Sequence, residues 1–374
     1  MNIYKIGVVG GGAMGSGIAT LAIRKGGIPV VIKEANSELA SAAKSRVLQN
    51  FDSLYKKNKI FDQQLEKFTS LLTVTDVWGE DFKDVDLLIE AVPEKMNLKK
   101  QIFAAASLWL PPQAILASNT SALSISEMGE QLTPQRHQRV LGLHFFNPPT
   151  RMKLVEVVAT RETSEATLAE ATDFVESALQ RLPVRVKECP GFLVNRLLMP
   201  YLNEAVDSIL ETSVKPEEID KAAMEFGWPV GPFILMDSLG LDICEDVAET
   251  LRRGYGDRVK LSPLLQKLVN LGRLGGKTGA GFYGGDETIL EIIEKHFPWS
   301  RCRESSAKEV FNLMMIGLVK EAELALEEGI ASAADIENAC VWGIGFPKVP
   351  HEGPLHWGQS NNYTKKKIFQ DEIV

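Results

Sequence analysis

The sequence predicts a doubly wound, largely parallel α/β sheet domain followed by two copies of an all-α helical module. Three features of its 374 residues lead there. Short apolar runs alternate with helical patterns through the first half, as βαβ units require. A glycine-rich turn, "GGGAMG" at 10 to 15, joins the first apolar run to the first helical one. The second half is helical in periodicity and partly repeats itself.

The elements follow in chain order. "KIGVVGGGAMGSGIATLAIRKGG" reads as strand, glycine turn, amphipathic helix and Gly-Gly stop, and "IPVVIKEANS" as a second strand ending at Lys33 and Glu34. Further strands are expected at 86 to 92, 114 to 119 and 139 to 144, each an apolar run between helical patterns. The Pro148-Pro149 pair forbids continued sheet pairing, which places His144 at a strand end. The sheet domain is expected to span 1–187. From Cys189 the pattern turns helical. "FLVNRLLMPYLNEA" at 192 to 205 aligns without gaps with 309 to 322, setting Asn195 against Asn312 and Glu204 against Glu321. Downstream, Ile219 falls opposite Ile336, and a Gly-Pro pair follows in each copy. Helical modules are therefore expected at 188–298 and 299–374, with a loop at 272 to 285, a linker after it, and "NNYTKKKIFQDEIV" as a mobile tail.

Composition narrows the function. The apolar fraction of 45% and charged fraction of 24% are those of a soluble globular protein, and a formal net charge of -8 with scattered basic residues offers no basic face for nucleic acid. Cys189, Cys244, Cys302 and Cys340 show neither CxxC spacing nor a paired pattern, so no metal site or disulfide framework is expected, and a reducing compartment fits. The most apolar candidate for a membrane span, 310 to 319, is short and contains Asn312. The first residues lead into a strand without a signal-peptide pattern, so a cytoplasmic protein with no membrane partner is expected.

The glycine turn carries the first chemical signal. Gly10, Gly12 and Gly15, with Ala13 and Met14 between the last two, lie between strand and helix as a Rossmann-type dinucleotide fingerprint requires. Glu34 follows at the spacing of the acid that holds the adenosine ribose hydroxyls, which favours NAD over NADP because a carboxylate repels an added phosphate. His144 stands at the carboxyl end of a sheet strand, where open α/β sheets bind ligands. Glu156 lies among branched apolar residues, where a carboxylate needs a basic or hydrogen-bonding partner. A base for a substrate hydroxyl with a carboxylate behind it is one reading of the two, and a satisfied core histidine is the other.

The stretches "GGGAMGSGIA", "DLLIEAVPE", "ASNTSALSI", "GLHFFNPPTRMKLVEVV", "PGFLVNRLLMPYLNEA", "GWPVGPFILMDSLGLD" and "GGKTGAGFY" together resemble the L-3-hydroxyacyl-CoA dehydrogenase family, in family order across residues 3 to 283. The duplicated tail resembles the double C-terminal module of multifunctional fatty-acid oxidation proteins. The resemblance implies NAD as cofactor, His144 as general base and Glu156 as its partner. It makes Ser121 and Asn195 donors to the reacting oxygen or thioester carbonyl, and places Glu94, Lys99, Asn119 and Ser121 near the cofactor. "SLYKKNKI" at 53 to 60 resembles the stretch that meets the CoA nucleotide. Without the resemblance, Ser121 reads equally as a helix cap, Asn195 as a turn or packing residue, and Glu94 with Lys99 as an exposed helix start. The implied substrate is an acyl-CoA thioester, with an acyl-carrier-protein thioester or a free 3-hydroxy or sugar acid as alternatives, and the protein a monomer or homo-oligomer. An idle dinucleotide-binding scaffold is the rival from another class. It would not need Ser121, His144, Glu156 and Asn195 together.

Overall fold

The computed structural model describes residues 3–300, 303–348, 352–361 and 363. The chain divides into two compact units, Met1–Glu188 and Cys189–Val374.

The first unit is built on one eight-stranded sheet: β1 (Ile6–Val9), β2 (Val30–Lys33), β3 (Leu72–Thr75), β4 (Leu87–Glu90), β5 (Ile115–Ser118), β6 (Val140–Phe145), β7 (Leu154–Ala159) and β8 (Leu182–Lys187). Its spatial order is β3-β2-β1-β4-β5-β6-β7-β8, and every pairing is parallel except β6 with β7. The inner strands β1, β4, β5 and β6 are buried along their whole length because helices cover both faces, and that is why they read as unbroken apolar runs. The helices are α1 (Ala13–Leu21), α2 (Ser37–Lys56), α3 (Asp62–Ser70), α4 (Met96–Trp109), α5 (Ile125–Gly129), α6 (Pro134–His137) and α7 (Glu165–Asp173). The chain leaving α1 stops at Gly27, whose φ of 62° an L side chain resists. Strands β3 and β8 carry no signal the sequence reading used. β3 is a half-exposed edge strand, and β8 contains Pro183, which is tolerated at a sheet edge where a missing N–H leaves no ladder bond unmade.

Two contacts tie loops to the helices beside the sheet. A Cβ on Gly17 of α1 would lie 2.5 Å from Pro149, so the loop after β6 rests directly on α1. Glu188 accepts hydrogen bonds from the Ser124 hydroxyl at 2.9 Å, the Ile125 N–H at 2.5 Å and the Ser126 N–H and hydroxyl, which ties the chain beyond β8 to the start of α5.

The second unit is helical: α8 (Val194–Glu211), α9 (Pro216–Phe226), α10 (Pro232–Leu239), α11 (Leu241–Tyr255), α12 (Pro263–Asn270), α13 (Ile289–His296), α14 (Ala307–Glu327), α15 (Ala333–Ala339) and α16 (Pro354–Ser360). The long helices of the two sequence copies, α8 and α14, pack along each other, and α14 also packs on α9 of the other copy. The copies also share a local device. Asp220 of α9 accepts the Phe233 N–H at 2.9 Å at the start of α10, and Glu337 of α15 accepts the His356 N–H at 2.9 Å at the start of α16. Each helix opens with Gly-Pro, because a Cβ on Gly231 or Gly353 would collide with the capping carboxylate at 2.2 Å and 1.5 Å. Arg196 of α8 and Glu321 of α14 form a buried ion pair at 2.6 Å across the copies, and Arg196 also pairs with Glu328 at 2.8 Å.

The expected linker after residue 285 is instead helix α13, capped by Thr288 and Glu291 and burying Ile289, Ile292 and Ile293. Its 3.6-residue apolar spacing was the available signal. Of the expected tail, only Asn361 and Tyr363 lie within the described residues, and Cys302 lies outside them. No helix among the described residues is long and apolar enough to cross a membrane.

Candidate active site

The glycine turn assigns a separate physical task to each glycine. Gly10 has φ +94°, and a Cβ there would lie 2.7 Å from the Ala91 carbonyl oxygen at the end of β4. A Cβ on Gly15 would lie 1.8 Å from the Gly10 carbonyl oxygen, so only glycine lets α1 close on the turn. Gly12 is exposed and a Cβ there would meet nothing within 4 Å, so that face of the turn stays open to a ligand. Gly12 caps α1 without a side-chain bond, Ala13 is exposed and Met14 half-buried, so the first amides of α1 border open space. That is the arrangement of an anion site at a helix N-terminus, and it fits a dinucleotide pyrophosphate. Glu34, just beyond β2, accepts the Gly11 N–H at 2.6 Å and the Ala35 N–H at 3.3 Å. Arg46 donates to the Gly11 carbonyl at 3.0 Å from the other side.

His144 and Glu156 face each other in the antiparallel β6–β7 pair. His144 Nδ1 lies 2.6 Å from Glu156 Oε2. Glu156 is 0% exposed and His144 7%. The direction of the chain produces this pair: β7 returns beside β6 through residues 146–153, so register alone sets the carboxylate opposite the imidazole. The Phe146 ring packs 4.6 Å from the imidazole, centre to centre. Asn119 Oδ1 accepts the Phe145 N–H at 2.9 Å and so clamps the end of β6 to the loop after β5. The carbonyl of Asn119 is thus committed to backbone.

Ser121 follows that loop. Its N–H donates to Glu94 Oε1 at 3.2 Å, and the Thr120 hydroxyl donates to the same oxygen. The α5 N-cap is Ser124, so the reading of Ser121 as a helix cap does not hold. Lys99 is 1% exposed, which overturns the solvated-helix reading of that residue. Its Nζ lies 3.0 Å from Glu94 Oε2 and donates to both oxygens of Glu90, at 2.8 and 2.9 Å. Lys99 is thus buried, and of its two carboxylate partners only Glu94 is exposed. Glu90, Ser118 and Thr120 were missed. The signal for Glu90 was present in "LLIE", a carboxylate ending a buried apolar strand, which is the same pattern that singled out Glu156.

In the second unit Asn195 lies in the first turn of α8, half-buried, just after Gly191 and Phe192 at φ +72° and +52°. Asn312 is half-buried on α14. Lys56, Lys57 and Lys59 of "SLYKKNKI" are exposed at the end of α2. No cluster of ligands able to hold a metal occurs among the described residues.

Residues 5–189 match the family model described as 3-hydroxyacyl-CoA dehydrogenase, NAD binding domain, and residues 191–285 match that of the 3-hydroxyacyl-CoA dehydrogenase C-terminal domain. The glyoxysomal fatty acid beta-oxidation multifunctional protein MFP-a of Brassica napus is 36% identical over 98% of this chain and 52% of its own length. The chain thus spans about half the length of the curated relatives it matches. The crystal structure of 3-hydroxybutyryl-CoA dehydrogenase from Escherichia coli superposes with a TM-score of 0.83 at 27% identity, covering 96% of this chain and 92% of that one. The (S)-3-hydroxybutyryl-CoA dehydrogenase of Ralstonia eutropha gives 0.70 at 33% identity over 76% of this chain and 100% of its own.

Proposed function

The chain belongs to the 3-hydroxyacyl-CoA dehydrogenase family, and from that premise we propose that it interconverts an L-3-hydroxyacyl-CoA and the 3-oxoacyl-CoA with NAD. The observation that carries the reading is the buried His144–Glu156 pair, at 2.6 Å, on the carboxyl edge of a sheet whose first turn is built for a dinucleotide. In the oxidising direction His144 takes the proton of the 3-hydroxyl group. Nδ1 is held by Glu156, so the proton moves at Nε2. Glu156 fixes the ring and offsets the imidazolium that forms. NAD, when bound, takes the hydride from the carbinol carbon. Ser121 and Asn195 donate hydrogen bonds to the oxygens whose charge rises as the carbonyl forms or reverts, without adding a group that ionises. Glu34 orders the ribose and disfavours a 2′-phosphate. Two buried thiols, Cys244 and Cys340, support a reducing compartment, and we place the protein in the cytoplasm.

The test is NADH-linked reduction of acetoacetyl-CoA by the purified chain, beside a 3-oxoacyl group on acyl-carrier protein and with NADPH as control. Turnover of the CoA thioester with NADH, abolished in His144→Ala with cofactor binding intact, is the expected result. Turnover only on the carrier protein would replace the substrate, and silence on both would sink the reading.

A further inference from the structure

Three charged side chains meet beyond the end of β4, and only one of them reaches solvent. Glu90 is 0% exposed, Lys99 1%, and the Glu94 side chain 40%. Both oxygens of Glu90 accept from Lys99. Glu90 is itself anchored by the Ser118 hydroxyl at 2.5 Å and the Val92 N–H at 2.7 Å. Lys99 then reaches Glu94 Oε2 at 3.0 Å, while Glu94 Oε1 receives the Thr120 hydroxyl and the Ser121 N–H. An ammonium so deeply buried needs one carboxylate to offset its charge, and this one has two. The cluster therefore carries a net charge of one negative unit. Glu90 cancels Lys99, and the surplus sits on Glu94, the member open to solvent.

The position of that surplus follows from the sheet order. Glu34 lies beyond β2, the open glycine turn beyond β1, Glu94 beyond β4 and His144 at the end of β6. The Ala91 carbonyl abuts Gly10, so the β4 end adjoins the turn. A dinucleotide that runs along this edge from Glu34 to His144 passes Glu94 on the way to its reacting end. The nicotinamide ring is positive when oxidised and neutral when reduced, so a fixed carboxylate near it favours the oxidised form. We propose that Glu90 is a positioning residue that neutralises Lys99, leaves Glu94 with its full charge, and so makes the protein hold NAD+ more tightly relative to NADH. This rests on the dehydrogenase reading above and adds a redox-state preference to it.

The readout is the ratio of Kd for NADH to Kd for NAD+, from NADH fluorescence and its displacement by NAD+, on the purified full chain. In E94Q and in E90Q the ratio is expected to fall roughly four- to tenfold, the effect of one partly screened charge. The double variant E90Q/K99M keeps Glu94 charged over a neutral pair, and its ratio should return to within about twofold of wild type. Should E90Q not fold, K99M carries the test, with a ratio at or above that of wild type. A merely structural role for the cluster moves both constants together. An unchanged ratio in E94Q and E90Q, or a lowered one in K99M, overturns the inference. Wild-type protein that binds neither form overturns the dehydrogenase reading, and the inference with it.

Discussion

Replacing Glu156 by glutamine removes a charge from behind His144 while keeping shape and one acceptor. With Oε2 at 2.6 Å from Nδ1, the centres of carboxylate and ring lie about 4–5 Å apart, and their attraction once the imidazolium forms is about 4 kcal/mol at an effective dielectric constant near 20. The amide oxygen of glutamine still accepts from Nδ1–H and returns about 1 kcal/mol. The net loss is about 3 kcal/mol, felt in the transition state where the ring takes the proton, which is roughly a hundredfold in kcat. Glu156 is fully buried and out of reach of a bound ligand, so KM should move by less than about threefold. The side chain is isosteric and the strand pairing is unchanged, so Tm should stay within about 3 °C of wild type. Steady-state oxidation of L-3-hydroxybutyryl-CoA by NAD+, followed through NADH absorbance, gives kcat and KM; a thermal melt gives Tm. A kcat within about fivefold of wild type would refute the electrostatic role. A kcat that falls only in step with Tm would make Glu156 a structural carboxylate.

The glycine turn separates folding from binding. Gly12→Ala should leave Tm unchanged, since its Cβ meets nothing within 4 Å, yet weaken NADH binding about tenfold or more by filling the face where backbone approaches phosphate; unaltered affinity would count against the site. Gly15→Ala puts a Cβ 1.8 Å from the Gly10 carbonyl oxygen and should cost about 2–3 kcal/mol in chemical denaturation. In the second unit, Arg196→Met leaves Glu321 with Arg258 alone and should cost about 2–3 kcal/mol, less than the full loss of a buried pair because one partner remains; a change below about 0.5 kcal/mol would show that the bridge contributes nothing net. Glu204 has a carboxyl pushed above the ordinary range by burial first and then by Asp207 and Glu211, against Arg303 and Ser208. The folded state therefore keeps this proton to higher pH than the unfolded chain, so stability falls as pH rises from the ordinary carboxylate range through the raised value. Glu204→Gln should remove that slope, and the difference in Tm, variant minus wild type, should grow with pH across the window. A flat difference would show that Glu204 is not the source.

The glycine turn, Glu34 and His144 were legible because each depends on a local pattern: glycine spacing between strand and helix, an acid ending the next strand, a histidine before a proline pair. Glu156 was legible as an oddity, a carboxylate in an apolar run. Glu90 was the same kind of oddity. Its neutralising lysine comes nine residues later, on the following helix, so the local pattern does not pair the two. The helical duplication is readable from Asn195 against Asn312 and Ile219 against Ile336, while the helix at Ile289–His296 reads as linker because it is short and follows a glycine-rich loop. Edge strands β3 and β8 leave little trace in the sequence because edges need no continuous apolar run, and one of them tolerates a proline.

By itself the sequence determined the class of fold, the dinucleotide turn and the residue types at the site, since periodicity, glycine placement and buried polar anomalies are properties of neighbouring residues. The tertiary structure decided the partnerships. Antiparallel register placed Glu156 against Nδ1 of His144. Burial joined Glu90 to Lys99 and made Glu94 the exposed member of that cluster. Packing of α8 on α14 turned two sequence repeats into one unit bridged by Arg196 and Glu321. These outcomes depend on which distant segments share a dry interior, where a charge must find its opposite, and only the assembled fold sets that.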